Sequence, residues 1–123
     1  MREAHFPGRA PIDAYGNGGF RFADMSHRGS ILALPSGIRA WDVTAPAGFS
    51  REAFAPALAE GDALEILLVG TGRDVAAFPA DLRQLFRDAG IGLDVMQTGA
   101  AARTYNVLVA ENRRVCAALI AVD

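Results

Sequence analysis

The chain contains no lysine: all twelve of its basic residues are arginine. That absence excludes Schiff-base chemistry and the phosphate-binding lysine of a P-loop. Cys116 is the single cysteine, so no intrachain disulfide can form and no cysteine-based zinc site can be assembled. Histidine is scarce as well. His5 and His27 stand in an irregular N-terminal region without ligand-like spacing, and a surface or turn role is expected for both. Long apolar runs are missing too, each being cut by charge or glycine within about ten residues, too short for a membrane span. The expectation is a soluble, cytoplasmic protein with no direct membrane insertion, no metal and no cofactor.

What is present has a globular balance. Of 123 residues, 51% are hydrophobic and 21% charged, which fits one domain over residues 1–123 with a core of its own. Twelve basic against fourteen acidic residues leave a net charge of -2, which argues against nucleic acid as a partner.

Residues 1–18 are rich in glycine and proline and read as an extended lead-in ending in the first strand of a hairpin. Asn17-Gly18 suits a tight type I′ turn between Ile12–Tyr15 and Phe20–Phe22. Ser30–Leu34 reads as a strand stopped by Pro35, with a short return over Gly37–Trp41. From Ser50, a plausible N-cap, Phe54, Ala57 and Leu58 share a helical face before Gly61 ends the segment. Leu64–Val69 reads as a strand buried on both faces. Pro79 opens the clearest helix, in which Leu82, Leu85, Phe86 and Ala89 recur at helical spacing before Gly90. Strands follow at Gly92–Met96 and Val115–Val122. Between them, Thr98–Asn112 could form a hairpin with the last strand, but Ala100–Ala102 and the shared face of Ala101, Tyr105 and Leu108 favour helix. A β-rich third followed by alternating helix and strand implies an α/β domain around a mostly parallel or mixed sheet.

In such sheets ligands gather beyond the carboxyl ends of the strands. Two loops lie there. Gly70-Thr71-Gly72-Arg73-Asp74 offers backbone amides, a hydroxyl and a positive charge, although a Gly-x-Gly after a strand is more commonly a turn that lets the chain leave the sheet. Gln97-Thr98-Gly99 leads into the helix that carries Arg103. An arginine so near a helix N-terminus opposes the macrodipole, so it should answer either an anion or a carboxylate such as Asp94, Asp74 or Glu111. Other candidates are poorer: Ser30 is outside a nucleophile elbow, Cys116 sits in an apolar strand, Trp41 reads as packed under a loop, and Glu60, Asp62 and Glu65 read as a solvated charge cluster.

Four strings stand in one order: His27 to Pro35, Leu67 to Gly72, Gly90 to Met96, and Thr98 to Leu108 with its Arg103-Thr104-Tyr105-Asn106 run. Together they resemble the small single-domain family that includes the mitochondrial complex I (NADH dehydrogenase) assembly factor and the adipogenesis-associated domain protein, many bacterial members being known only as a domain of unknown function. The resemblance spans roughly residues 11 to 122. It implies a three-layer β+α/β/α single domain around a central mixed sheet, favours helix over 100–111, and gives no ground to assume enzymatic activity. It implies a protein partner and a bacterial assembly role, linked to respiratory-complex or membrane-protein biogenesis. Many members carry cysteine where this chain has Ala102, so a thiol mechanism there is excluded. The alternative is an anionic-ligand or enzymatic site drawn from Gly70, Thr71, Gly72, Arg73, Thr98, Gly99, Arg103, Tyr105 and Asn106.

Overall fold

The computed structural model describes residues 5–123. The expected lead-in is therefore described only from residue 5; residues 1–4 lie outside the described residues. Among the described residues, nine strands and three α-helices follow in order: β1 (His5–Phe6), β2 (Ile12–Gly16), β3 (Gly19–Phe22), β4 (Met25–Arg28), β5 (Ser30–Leu34), β6 (Gly37–Trp41), α1 (Ala55–Leu58), β7 (Ile66–Gly70), α2 (Ala80–Asp88), β8 (Gly92–Met96), α3 (Thr98–Ala110) and β9 (Val115–Leu119).

Six strands form the central sheet in the order β1-β6-β5-β9-β7-β8, and β2-β3-β4 form a separate three-stranded sheet. The central sheet is mixed. β9, β7 and β8 run parallel, while β5 joins β9 antiparallel and pairs with β6, beyond which β1 forms the other edge. Parallel neighbours need a crossover, and α2 and α3 supply it.

Alternation along the strands sorts the core into two halves. Leu32, Leu34, Leu67, Val69, Cys116, Ala118 and Ile120 pack with Phe54, Ala57, Leu82 and Phe86 on the side of α1 and α2. Ile31, Ala33, Leu68, Val115, Ala117 and Leu119 point the other way, toward Ile12, Phe20, Phe22, Ala101, Ala102 and Tyr105. The second side is therefore covered jointly by α3 and the three-stranded sheet. This is the β+α/β/α three-layer domain that the resemblance implies.

Four local expectations change. The helix read from Ser50 is only one turn, Ala55–Leu58, because Pro56 has no amide to donate and restricts the residue before it. Ser50 still caps the approach, its Oγ accepting from the Ala53 amide at 3.1 Å. A strand unread in the sequence, β4, follows a turn in which Ala23 and Asp24 have φ of 49° and 61°, without a glycine to announce it. His27 lies on that strand and is buried rather than on the surface, with Nε2 3.2 Å from the Ser30 carbonyl oxygen. Finally, the last strand stops at Leu119 rather than Val122.

The acidic cluster is also more structured than expected. Glu65 accepts from Arg113 Nε at 2.8 Å and from the Arg114 amide at 3.2 Å, which holds its carboxyl below the usual carboxylate range. Glu60 accepts from the Ser36 hydroxyl at 2.6 Å.

Candidate functional site

The two loops singled out in the sequence do meet at one rim, the carboxyl end of the parallel strands. Thr98, fully buried, is the centre of the meeting. Its Oγ1 accepts from the Gly72 amide at 2.9 Å and donates to the Ile120 carbonyl at 2.7 Å. Its own amide donates to the Gly72 carbonyl at 2.8 Å. Three chain segments, just after β7, at the start of α3 and just after β9, are thereby tied through one hydroxyl.

Gly70 is required for the approach. A Cβ there would stand 2.9 Å from Thr98 Cα and 3.0 Å from a Leu119 methyl, closer than carbon atoms pack. Thr71 closes its own loop. Its amide donates to the Met96 carbonyl at 2.9 Å, and its Oγ1 donates to the Asp74 carbonyl at 2.6 Å and accepts from the Ala76 amide at 3.2 Å. Arg73 is exposed on the same loop.

The first turn of α3 is filled from within the chain as well. Gln97 caps it, its Oε1 accepting from the Gly99 amide at 2.6 Å. The Tyr15 side chain lies across Gly99, where a Cβ would come within 2.2 Å of its hydroxyl. Arg103 answers none of the carboxylates named for it in the sequence. Its Nη1 donates to the Tyr15 hydroxyl at 3.3 Å instead, on the exposed side of the helix. The amides of Thr71, Gly72 and Gly99, read as an anion cradle, are thus all bonded inside the fold.

Tyr105 and Asn106 do not join this rim; they face the three-stranded sheet and the lead-in. Asn106 bonds the backbone of Ile12 twice, Oδ1 accepting from its amide at 2.7 Å and Nδ2 donating to its carbonyl at 2.9 Å. The register of β2 against β3 shifts just beyond that point, between Ile12 and Ala14. Tyr105 is buried with its hydroxyl unpartnered among the described residues, and that burial pushes the phenol up to about 12. The Arg9 guanidinium, which donates to the Arg113 carbonyl, lies close enough to oppose part of that shift. Cys116 is buried, and desolvation pushes its thiol well up, leaving no reactive thiolate near neutral pH. Trp41 packs against Phe49 and Phe54 while its Nε1 donates to the Ala53 carbonyl at 2.8 Å.

Tyr15 lay outside the two loops singled out in the sequence, and Gln97 lay inside one with its capping role unassigned. Gln97 carried a signal, a polar side chain directly before a helix. Tyr15 carried none, since nothing local pairs a strand tyrosine with a glycine on a helix far along the chain.

The model of the family described as "Protein of unknown function (DUF498/DUF598)" matches residues 12–120. The chain belongs to this family. Among its DUF498/DUF598 relatives, an uncharacterized protein of Rhodobacter capsulatus is 41% identical over 119 residues, covering 97% of this chain and 90% of that protein. The NADH dehydrogenase [ubiquinone] 1 alpha subcomplex assembly factor 3 of Mus musculus is 30% identical over 120 residues. That match covers 98% of this chain but only 65% of the mouse protein. Among solved structures, a Bartonella henselae protein described as an outer membrane protein superposes with a TM-score of 0.92 at 57% identity, covering 96% of this chain and 99% of that one. Among the described residues, no helix is long and apolar enough to cross a membrane.

Proposed function

We propose that the chain is a non-enzymatic protein-binding or assembly module serving respiratory-complex or membrane-protein biogenesis. The observation that carries the reading is the match of nearly the whole chain to the mouse complex I assembly factor, which supports an assembly role for the shared domain. The rim chemistry supports it. The amides and hydroxyl that could have held a small molecule join β7, α3 and β9, so the strings that mark the family serve as a structural joint. Specificity then belongs to the outer surface.

The test is deletion of the gene in its own cell, followed by native electrophoresis of the membranes. The expected result is accumulation of a partial NADH dehydrogenase complex, reversed by the wild-type gene. A full complement of mature complex in the deleted strain overturns the reading.

A second reading is an anion held between the Gly70–Gly72 loop and the start of α3. In its favour, neither Arg73 nor Arg103 joins a salt bridge among the described residues. Inorganic phosphate would then raise the melting temperature, by the linkage of binding to folding.

A further inference from the structure

We propose that the cleft between the three-stranded sheet and the end of β6 binds a small organic anion, a carboxylate or a phosphate, through Arg21 and Arg28. This goes beyond the assembly reading and does not depend on it. The cleft has a volume of ≈ 660 Å³, inside the range of roughly 300–1,000 Å³ in which small-molecule sites fall. It opens at the same end of the central sheet as the Thr98 rim. Gly18, at the turn beside it, donates its amide to the Val122 carbonyl just past β9.

The strand register collects the charge. Arg21 lies opposite Ser26, and Gly19 lies opposite Arg28, so both arginines and the Ser26 hydroxyl share one side of the small sheet. Arg21, Ser26 and Arg28 are exposed, whereas Phe20, Phe22 and His27 between them are buried on the other side. Both arginines line the cleft, and neither is in a salt bridge among the described residues. Asp42 also lines it, leaving two positive charges against one negative. Walls of protein around such a pair focus its field into the opening. Planar guanidiniums suit the paired oxygens of a carboxylate or phosphate, and Asp42 offers an acceptor for a hydroxyl or amine on the ligand's body.

The frame is set before any ligand arrives. Gly29, with φ of 103°, turns β4 into β5, and its amide donates to the Gly18 carbonyl at 2.7 Å. His27 braces the same corner: a carbonyl oxygen only accepts, so the nitrogen facing Ser30 carries the hydrogen. This contrasts with the Thr98 rim, where the polar groups are consumed internally.

The Trp41 indole packs away from the cleft against Phe49 and Phe54, so occupancy is read by isothermal titration calorimetry. The purified protein is titrated with inorganic phosphate, adenosine monophosphate and benzoate, and with adenosine and benzamide as uncharged counterparts. Support is a saturable change with at least one anion at a Kd below about 1 mM. Its uncharged counterpart and the Arg21→Gln/Arg28→Gln double variant should bind at least about tenfold more weakly, with the variant's melting temperature unchanged. Preference for phosphates or for benzoate assigns the headgroup. Absence of saturation with every anion up to about 10 mM overturns the proposal. So does equal binding of the uncharged counterparts, or binding that survives in the double variant but is lost in Arg103→Ala.

Discussion

The two faces of the central sheet are held by different physics. On the α1 and α2 side, Phe54 stands among four rings, 5.4 Å from Trp41 and 5.6 Å from each of Phe49, Phe78 and Phe86. Its stability is area, and area tolerates small displacements. On the α3 side the packing residues near the helix are small, Ala101, Ala102 and Ala117, and the helix approaches so closely that Gly70 has no room for a methyl. There the joint depends on hydrogen bonds of fixed geometry through Thr98 and Asn106.

The largest test removes the centre of the aromatic side. Phe54→Ala should lower stability by about 3–5 kcal/mol, read from the denaturant midpoint with an unchanged slope. Thr98→Val keeps the shape and leaves the Gly72 amide and Ile120 carbonyl buried without a partner. About 3 kcal/mol is expected from two such groups. If Thr98→Val costs less than about 1 kcal/mol, water has replaced the hydroxyl and the contrast between the faces fails.

Periodicity made much of this legible. α2 and α3 follow from apolar residues at helical spacing, and β7 and β9 from runs too continuous to be amphipathic. The spacing of Phe54, Ala57 and Leu58 signals a helix from Ser50, but Pro56 inside the same segment limits it to one turn. β4 escaped because Ala23 and Asp24 adopt left-handed conformations normally marked by glycine or asparagine. At the rim, position was readable and role was not. The order strand, glycine loop, helix placed Gly72 and Thr98 at the same end of the sheet, but whether an amide faces solvent or a threonine oxygen is decided by tertiary packing. Arg103 illustrates this, since its partner Tyr15 comes from a strand that no local rule connects to it.

The α3 side should also show itself in alkali. The Tyr105 phenol is pushed up to about 12 by burial, above its ordinary value of 10.0. Between those values the unfolded chain has lost the proton and the folded one retains it, so stability falls as pH rises from 10 toward 12. The full loss is about 2–3 kcal/mol. The raised Cys116 thiol acts in the same direction, starting from its ordinary value of 9.0. Urea midpoints measured across this range in Tyr105→Phe should be flatter than in the parent. Because the Tyr105 hydroxyl has no partner among the described residues, the same variant should match or exceed the parent's stability at neutral pH. A clear loss there would mean that the phenol is bonded through a water.

The smallest expected effect separates the rim from a ligand site. Arg103 is exposed and makes one side-chain hydrogen bond among the described residues, to the Tyr15 hydroxyl at 3.3 Å, so Arg103→Ala should change stability by no more than about 0.5 kcal/mol. Differential scanning calorimetry with phosphate and simple carboxylates then discriminates. If the rim is a joint, any anion-induced rise in melting temperature is the same in the parent and in Arg103→Ala. A rise present in the parent and absent in the variant would return the Gly70–Gly72 loop and the α3 N-terminus to the role of a binding site. It would also require at least one of the amides now held by Thr98 or Gln97 to be released on binding, because the fold leaves neither the Gly72 nor the Gly99 amide free.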